Sequence, residues 1–169
     1  MTMSPPRQSR PRTRRRRLRR LLVLLLAAAA CGRAGAQAPP AAGPPAGRKQ
    51  DPLEVYIKDL LQAPEEVTVL NLSGQGFNQI TPVLLRFKNL EVLRLNHNML
   101  RTLPAGIAQL QKLRVLELRS NHLIALPDAL GELEHLERLD LADNQLHTLP
   151  SSISRLRRLR ELDLMENEL

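Results

Sequence analysis

The stretches LEVLRLNHNMLRTLPAGIAQL (residues 90–110), LRVLELRSNHLIALPDALGEL (113–133) and LERLDLADNQLHTLPSSISRL (136–156) share their apolar positions and differ between them. The shared spacing is 23 residues, and units aligned on it begin at Val67, Leu90, Leu113, Leu136 and Leu159. Self-similarity at such a period marks a stack of supersecondary units, none of which can bury its own apolar face alone. Within each unit the L-x-L alternation predicts a short strand with its leucines turned inward. The strands of successive units then stack in parallel and line a concave face. The remaining residues return across the convex side. Pro104, Pro127 and Pro150 open that return, where a missing N–H is tolerated, and the apolar residues after them recur at about helical spacing.

The full pattern, L-x-x-L-x-L-x-x-N-x-L-x-x-L-P-x-x-[IL]-x-x-L, resembles the leucine-rich repeat family. The resemblance covers residues 67–169, as four units and a partial fifth. It implies an α/β-type solenoid: a horseshoe with parallel concave strands, irregular or helical convex segments and a short N-terminal helical cap. It also implies that Asn98, Asn121, Asn144 and Asn167, at one repeat position, point inward and satisfy backbone groups of adjacent turns. The first unit departs from the pattern, with Gln75 in place of Asn and Pro82 shifted by one, as suits a capping-side repeat. The chain stops at Leu169, about halfway through the fifth unit, which favours a fragment or truncated product over a minimal cap.

Ahead of the repeats, DPLEVYIKDLLQ (51–62) predicts a short helix with Asp51 as N-cap, Pro52 at the first position and Glu54 reaching back to the cap. Leu53, Tyr56, Ile57 and Leu60 form its apolar face, and Pro64 is expected to end it, so residues 51–66 read as the N-terminal cap. Residues 37–50 are a Pro/Ala/Gly linker with too little apolar surface to order itself.

Charge divides the chain. Residues 1–50 hold 12 Lys and Arg and no acid, whereas residues 51–169 hold 13 basic and 17 acidic side chains, a net −4. The high isoelectric point therefore belongs to the N-terminal segment and is no evidence of a nucleic-acid-binding repeat domain. Residues 1–36 read as a signal peptide: nine arginines within 1–20, the apolar run Leu21–Ala30, and Ala34-Gly35-Ala36 as a small-x-small cleavage site. The apolar run is too short to span a bilayer, which takes about 20 residues. Cys31 offers lipid attachment as an alternative, and the acid-free arginine run also suits an organelle-targeting or nuclear arm.

Cys31 is the one cysteine, which excludes an internal disulfide and a multi-cysteine zinc site. The histidines show no metal-ligand spacing, and no nucleophile motif or phosphate-cradling glycine loop occurs, so the reading calls for no cofactor and no enzyme.

Function is thus expected on the concave face, at the outward strand positions. The candidates are Arg94, His97, Glu117, Arg119, Arg138, Asp140, Asp143, Glu161 and Asp163. Along the stack they grade from neutral to acidic, with Val69, Val92 and Val115 beside them as an apolar anchor. The complement is a protein carrying a basic segment; nucleic acid is not expected. Reversing Asp140 and Asp163 to Lys is expected to weaken such a partner while leaving the fold intact.

Two groups within the family are similar to this chain. Bacterial secreted leucine-rich repeat proteins share the cysteine-free 23-residue unit, and their start resembles Tyr56, DLLQAP (59–64) and VTVLNLSGQ (67–75), including Gln75 where later units have Asn. That resemblance implies a surface, periplasmic or secreted binding protein. Intracellular proteins of the Ras-suppressor kind share the same L-P unit and imply a cytoplasmic adaptor or regulator of signalling.

Overall fold

The computed structural model describes residues 52–169. The signal-peptide and linker readings, Cys31 and the Asp51 cap lie outside the described residues. Five strands form one parallel sheet in sequence order: β1 Val69–Asn71, β2 Val92–Arg94, β3 Val115–Glu117, β4 Arg138–Asp140 and β5 Glu161–Asp163. The register is one whole repeat at each step, so Leu70, Leu93, Leu116, Leu139 and Leu162 stand side by side. The central leucine of each of the first four strands is buried, with its neighbours on either side pointing outward.

The convex return is a 3₁₀ turn in each unit, at Pro82–Arg86, Ala105–Gln109, Asp128–Glu132 and Ser151–Arg155. Spacing explains the choice of 3₁₀ over α. Ile107, Leu110 and Leu113 are three residues apart, as are Leu130, Leu133 and Leu136, matching three residues per turn. The hydrogen bonds follow the same step, from Ile107 N–H to Pro104 O (3.0 Å), Leu110 N–H to Ile107 O (3.0 Å) and Leu113 N–H to Leu110 O (2.9 Å). Pro104, Pro127 and Pro150 each sit just before their turn, contributing a carbonyl and requiring no N–H, whereas Pro82 is the first residue of its own.

The N-terminal element is shorter than the sequence pattern predicts. The helix α1 spans Pro52–Tyr56, and 3₁₀ turns follow at Leu60–Gln62 and Pro64–Glu66. Ile57 O accepts from both Leu60 N–H (2.9 Å) and Leu61 N–H (3.1 Å), which tightens the winding. Pro64 opens a further turn instead of simply ending the helix. Leu53 and Ile57 are buried, as the apolar face requires, and Tyr56 meets Phe77 edge to face with ring centroids 6.0 Å apart.

The asparagines form a ladder through the stack. Asn121 Nδ2 donates to Leu95 O (3.0 Å) in the preceding unit and to Leu118 O (2.8 Å) in its own, and its Oδ1 accepts from Leu100 N–H (3.1 Å). Asn98, Asn144 and Asn167 repeat this arrangement at 21-, 26- and 3-residue separations. Gln75 takes no part in it, and its amide donates to Ser73 O instead.

One feature of the repeat carries strain. His97, Ser120, Asp143 and Glu166 all adopt positive φ, between 55° and 57°, at the position where the first unit has Gly74. The N–H groups of the first three are committed to the adjacent unit; Ser120 N–H, for example, donates to Ala142 O at 3.0 Å. The left-handed region is disfavoured for side chains with a Cβ and free for glycine. Ser120→Gly is therefore expected to raise stability by about 0.5–1 kcal/mol, read as a higher midpoint in denaturant titration at unchanged slope. A lowered midpoint would refute the strain.

Candidate functional site

The concave face is built from the outward residues of the five strands and the residues just beyond them. Val69, Val92 and Val115 lie half-buried in one row, continued by Arg138 and Glu161. The next row, Asn71, Arg94, Glu117, Asp140 and Asp163, is one-repeat register made visible as chemistry.

In mid-stack the polar side chains are tied to one another. Arg94 Nε lies 3.1 Å from Glu117 Oε2. Asn96 Nδ2 donates to the same carboxylate oxygen at 3.1 Å, and Asn96 Oδ1 accepts from Arg119 N–H at 2.9 Å. Arg94 and Glu117 thus satisfy each other before any partner arrives. Asn96, which sequence reasoning left outside the candidate set, holds this group together. Its position beside the alternating charges was the available signal.

At the far end Arg138 Nη1 lies 2.9 Å from Glu161 Oε2. These two line a depression of about 610 Å³ together with Asp140, Asp163, Leu162 and Met165. Asp163 Oδ1 accepts from Met165 N–H at 3.0 Å and Asp140 Oδ1 from Ala142 N–H at 3.2 Å, each carboxylate turning back on its own backbone. Asp140 is only 8 % exposed. A lysine there would remove a buried hydrogen bond and place an ammonium in its stead, so the expectation that reversal at Asp140 spares the fold is corrected. Leu162 is 41 % exposed, whereas its equivalent Leu139 is fully buried, because no strand follows β5 among the described residues. Its apolar surface joins that of the exposed Met165.

His97 and Asp143 are exposed on the positive-φ ridge just beyond the strands, where their N–H groups donate to Arg119 O (2.9 Å) and Met165 O (2.8 Å). Backbone geometry fixes where they project. The nine candidates thus fall into a mid-stack group of Arg94, Glu117 and Arg119, an end group of Arg138, Asp140, Glu161 and Asp163, and the two ridge residues. The exposed acids of the ridge and end group have no equivalent in the first unit, where the matching residues are Gly74 and Val69. Among the described residues no helix is long and apolar enough to cross a membrane.

Known proteins share this architecture. A family model described as a leucine-rich repeat region matches residues 66–168. The structure of a leucine-rich repeat protein from Leptospira interrogans is similar at 34 % identity and a TM-score of 0.54, covering 66 % of this chain and 34 % of that one. The BIR3–SERK2 complex from Arabidopsis thaliana is similar at 35 % identity and a TM-score of 0.53, over 58 % of this chain and 55 % of that one. The BIR2 ectodomain from the same plant matches at 29 % identity and 0.53, over 58 % and 54 %. The chain therefore spans about a third of the length of the first and about half of the other two. No curated protein matches the chain.

Proposed function

The chain belongs to the leucine-rich repeat family, and from that premise we propose that it is a non-enzymatic scaffold that binds a partner protein on its concave face. The observation that carries this reading is the charged concave row beside half-buried Val69, Val92 and Val115, in which Arg94 pairs with Glu117 and Arg138 with Glu161 one repeat apart. An apolar anchor rimmed by charges is the composition of a protein-binding patch, in which the charges contribute specificity and association rate. The excess of acid, with Asp143 and Glu166 on the adjoining ridge, matches a partner with a basic segment. Likeness to a chain determined within a complex, BIR3–SERK2, is consistent with this use of the fold.

The working site proposed is outside the cytoplasm: secreted, periplasmic or on the cell surface. Support comes from the basic run, short apolar run and Ala34-Gly35-Ala36 in order at the N-terminus. Cys31 keeps lipid anchoring as the alternative to release, and cytoplasmic retention is the competing outcome.

One experiment addresses both parts. The full chain, tagged at its C-terminus, is fractionated, its mature N-terminus is sequenced, and its co-purifying partner is titrated against Asp143→Lys/Glu161→Lys. Both side chains are exposed, so the melting midpoint is expected to stay within a few degrees while affinity falls about tenfold or more. An intact Met1 in soluble cytoplasm would remove the export reading. Unchanged affinity would remove the concave-face assignment.

A further inference from the structure

The loops that lead from the convex turns back to the strands carry a second pattern, unrelated to the concave face. At four matched positions the passage from the second unit into the third has Gln109, Gln111, Lys112 and Arg114. The passage from the third into the fourth has Glu132, Glu134, His135 and Glu137, and that from the fourth into the fifth has Arg155, Arg157, Arg158 and Arg160. A band of three acids is thus followed by a band of four arginines within six residues. All four arginines are exposed.

Elsewhere the stack pairs opposite charges one repeat apart: Arg94 with Glu117, Arg114 with Glu137 and Arg138 with Glu161. The same one-repeat offset relates Glu132 to Arg155, Glu134 to Arg157 and Glu137 to Arg160, yet none of these pairs closes. Among the described residues, none of the four arginines makes an ion pair. Glu137 is already taken by Arg114, whose Nη2 lies 2.7 Å from Glu137 Oε1. Between the two bands lies a depression of about 830 Å³, lined by Glu132, Glu134 and His135 on one side and by Arg155, Arg157 and Arg158 on the other.

The path of the basic loop is fixed by the backbone. Arg157 N–H donates to Arg155 O and Arg160 N–H to Glu137 O, both at 2.8 Å. The hydrogen bond from Arg114 holds the Glu137 carboxyl below its ordinary range, and the field of Arg160 and Arg158 pulls the same way. Four like charges held in a short ordered loop repel one another, and an anionic group brought among them relieves that repulsion. Guanidinium groups present paired N–H donors that match carboxylates two at a time.

We propose that the arginine face of residues 155–160, on the side of the depression away from Glu132 and Glu134, is a second binding surface that takes a short acidic protein segment. The neighbouring band sets the length and class of the occupant. A long polyanion running along the stack would pass from the arginines onto Glu132, Glu134 and Glu137 and be repelled there. The lining contains no aromatic side chain on which bases would stack. A few carboxylates grouped on a peptide meet the arginines alone. The surface meets the concave end group only at Arg160, which borders that depression, so one protein would hold a basic segment on one face and an acidic segment on its flank.

The test uses the full chain and a hexaglutamate peptide, with hexaglutamine, a short thymidine oligonucleotide and phosphatidylserine vesicles in parallel. Residues 1–20 contain nine arginines that will also attract anions, so total binding is not the readout. Local amide hydrogen exchange across residues 131–160 is. Hexaglutamate is expected to slow exchange at 151–160, with half-protection at a concentration raised tenfold or more in Arg157→Glu/Arg158→Glu and unchanged in Asp143→Lys/Glu161→Lys. Hexaglutamine is expected to have no effect. If the double glutamate variant melts well below the parent, Arg155→Gln/Arg157→Gln takes its place with the same expectation. Absence of protection at 151–160, or protection indifferent to both variants, overturns the proposal. Stronger protection of the same residues by the oligonucleotide or the vesicles overturns the acidic-peptide assignment in favour of that partner.

Discussion

Asn121→Ala is expected to lower the unfolding free energy by about 3 kcal/mol, more than any surface change in the stack. The carbonyls it serves are not the reason. Leu95 O keeps a donor in Asn98 Nδ2 (2.9 Å), and Leu118 O keeps one in Asn144 Nδ2 (3.0 Å). Leu95 O, Leu118 O and Leu141 O are each shared by two asparagines, and losing one leaves the other in place. The N–H side has no such redundancy. Leu100 N–H has Asn121 Oδ1 as its acceptor, and in the buried interior nothing replaces it. An unsatisfied buried donor costs roughly 1–3 kcal/mol, and the space vacated by the amide adds to it. Asn121→Asp is expected to be no milder, because its second oxygen would face two carbonyls. Asn167→Ala, at a half-exposed site where water reaches the orphaned groups, is expected to cost clearly less. Denaturant titration of the three variants checks the order. Equal losses at 121 and 167 would show that the ladder's contribution does not depend on burial. Because repeats are coupled only to their neighbours, a weak central unit is also expected to broaden the transition.

The second large effect is expected at Gly131. A Cβ placed there would stand 2.3 Å from Ser152 O and 2.7 Å from Ser152 Cβ. The carbonyl belongs to the next convex turn, so relief requires moving backbone. Gly131→Ala is expected to cost about 2–3 kcal/mol, a fall in melting midpoint on the order of 10 °C, against an unfolded-state gain of less than about 1 kcal/mol. Gly106→Ala is the built-in comparison. Its Cβ would meet Leu85 Cδ1 at 2.5 Å, the far end of a side chain that can rotate away. Its loss is expected to be the smaller, and a loss matching that at Gly131 would mean the convex turns yield as readily as side chains do.

These two sites differ in how visible they are from sequence. Asn121 recurs every 23 residues, and its inward role was implied by the family resemblance. Gly131 does not recur: the matched residues are Ala108 and Ser154. Only the approach of two turns reveals it. The concave candidates divide in the same way. Their rows were legible because parallel one-repeat register follows from the period. Which of them stay available to a partner was not. Asp140 and Asp163 are identical in sequence position, yet one is buried and the other half-exposed.

The period by itself determined the parallel sheet, its register and the leucine core, because each depends only on residues repeated at fixed separation; the inward asparagines followed from the family resemblance. The tertiary structure alone decided the rest. It turned His97, Ser120 and Asp143 into positive-φ residues whose N–H groups reach the next unit, with Glu166 in the same conformation. It paired Arg94, Arg114 and Arg138 across units while leaving Arg155, Arg157, Arg158 and Arg160 without such partners. Those outcomes depend on distances between neighbouring units, and distance between units is the quantity that a repeat period does not contain.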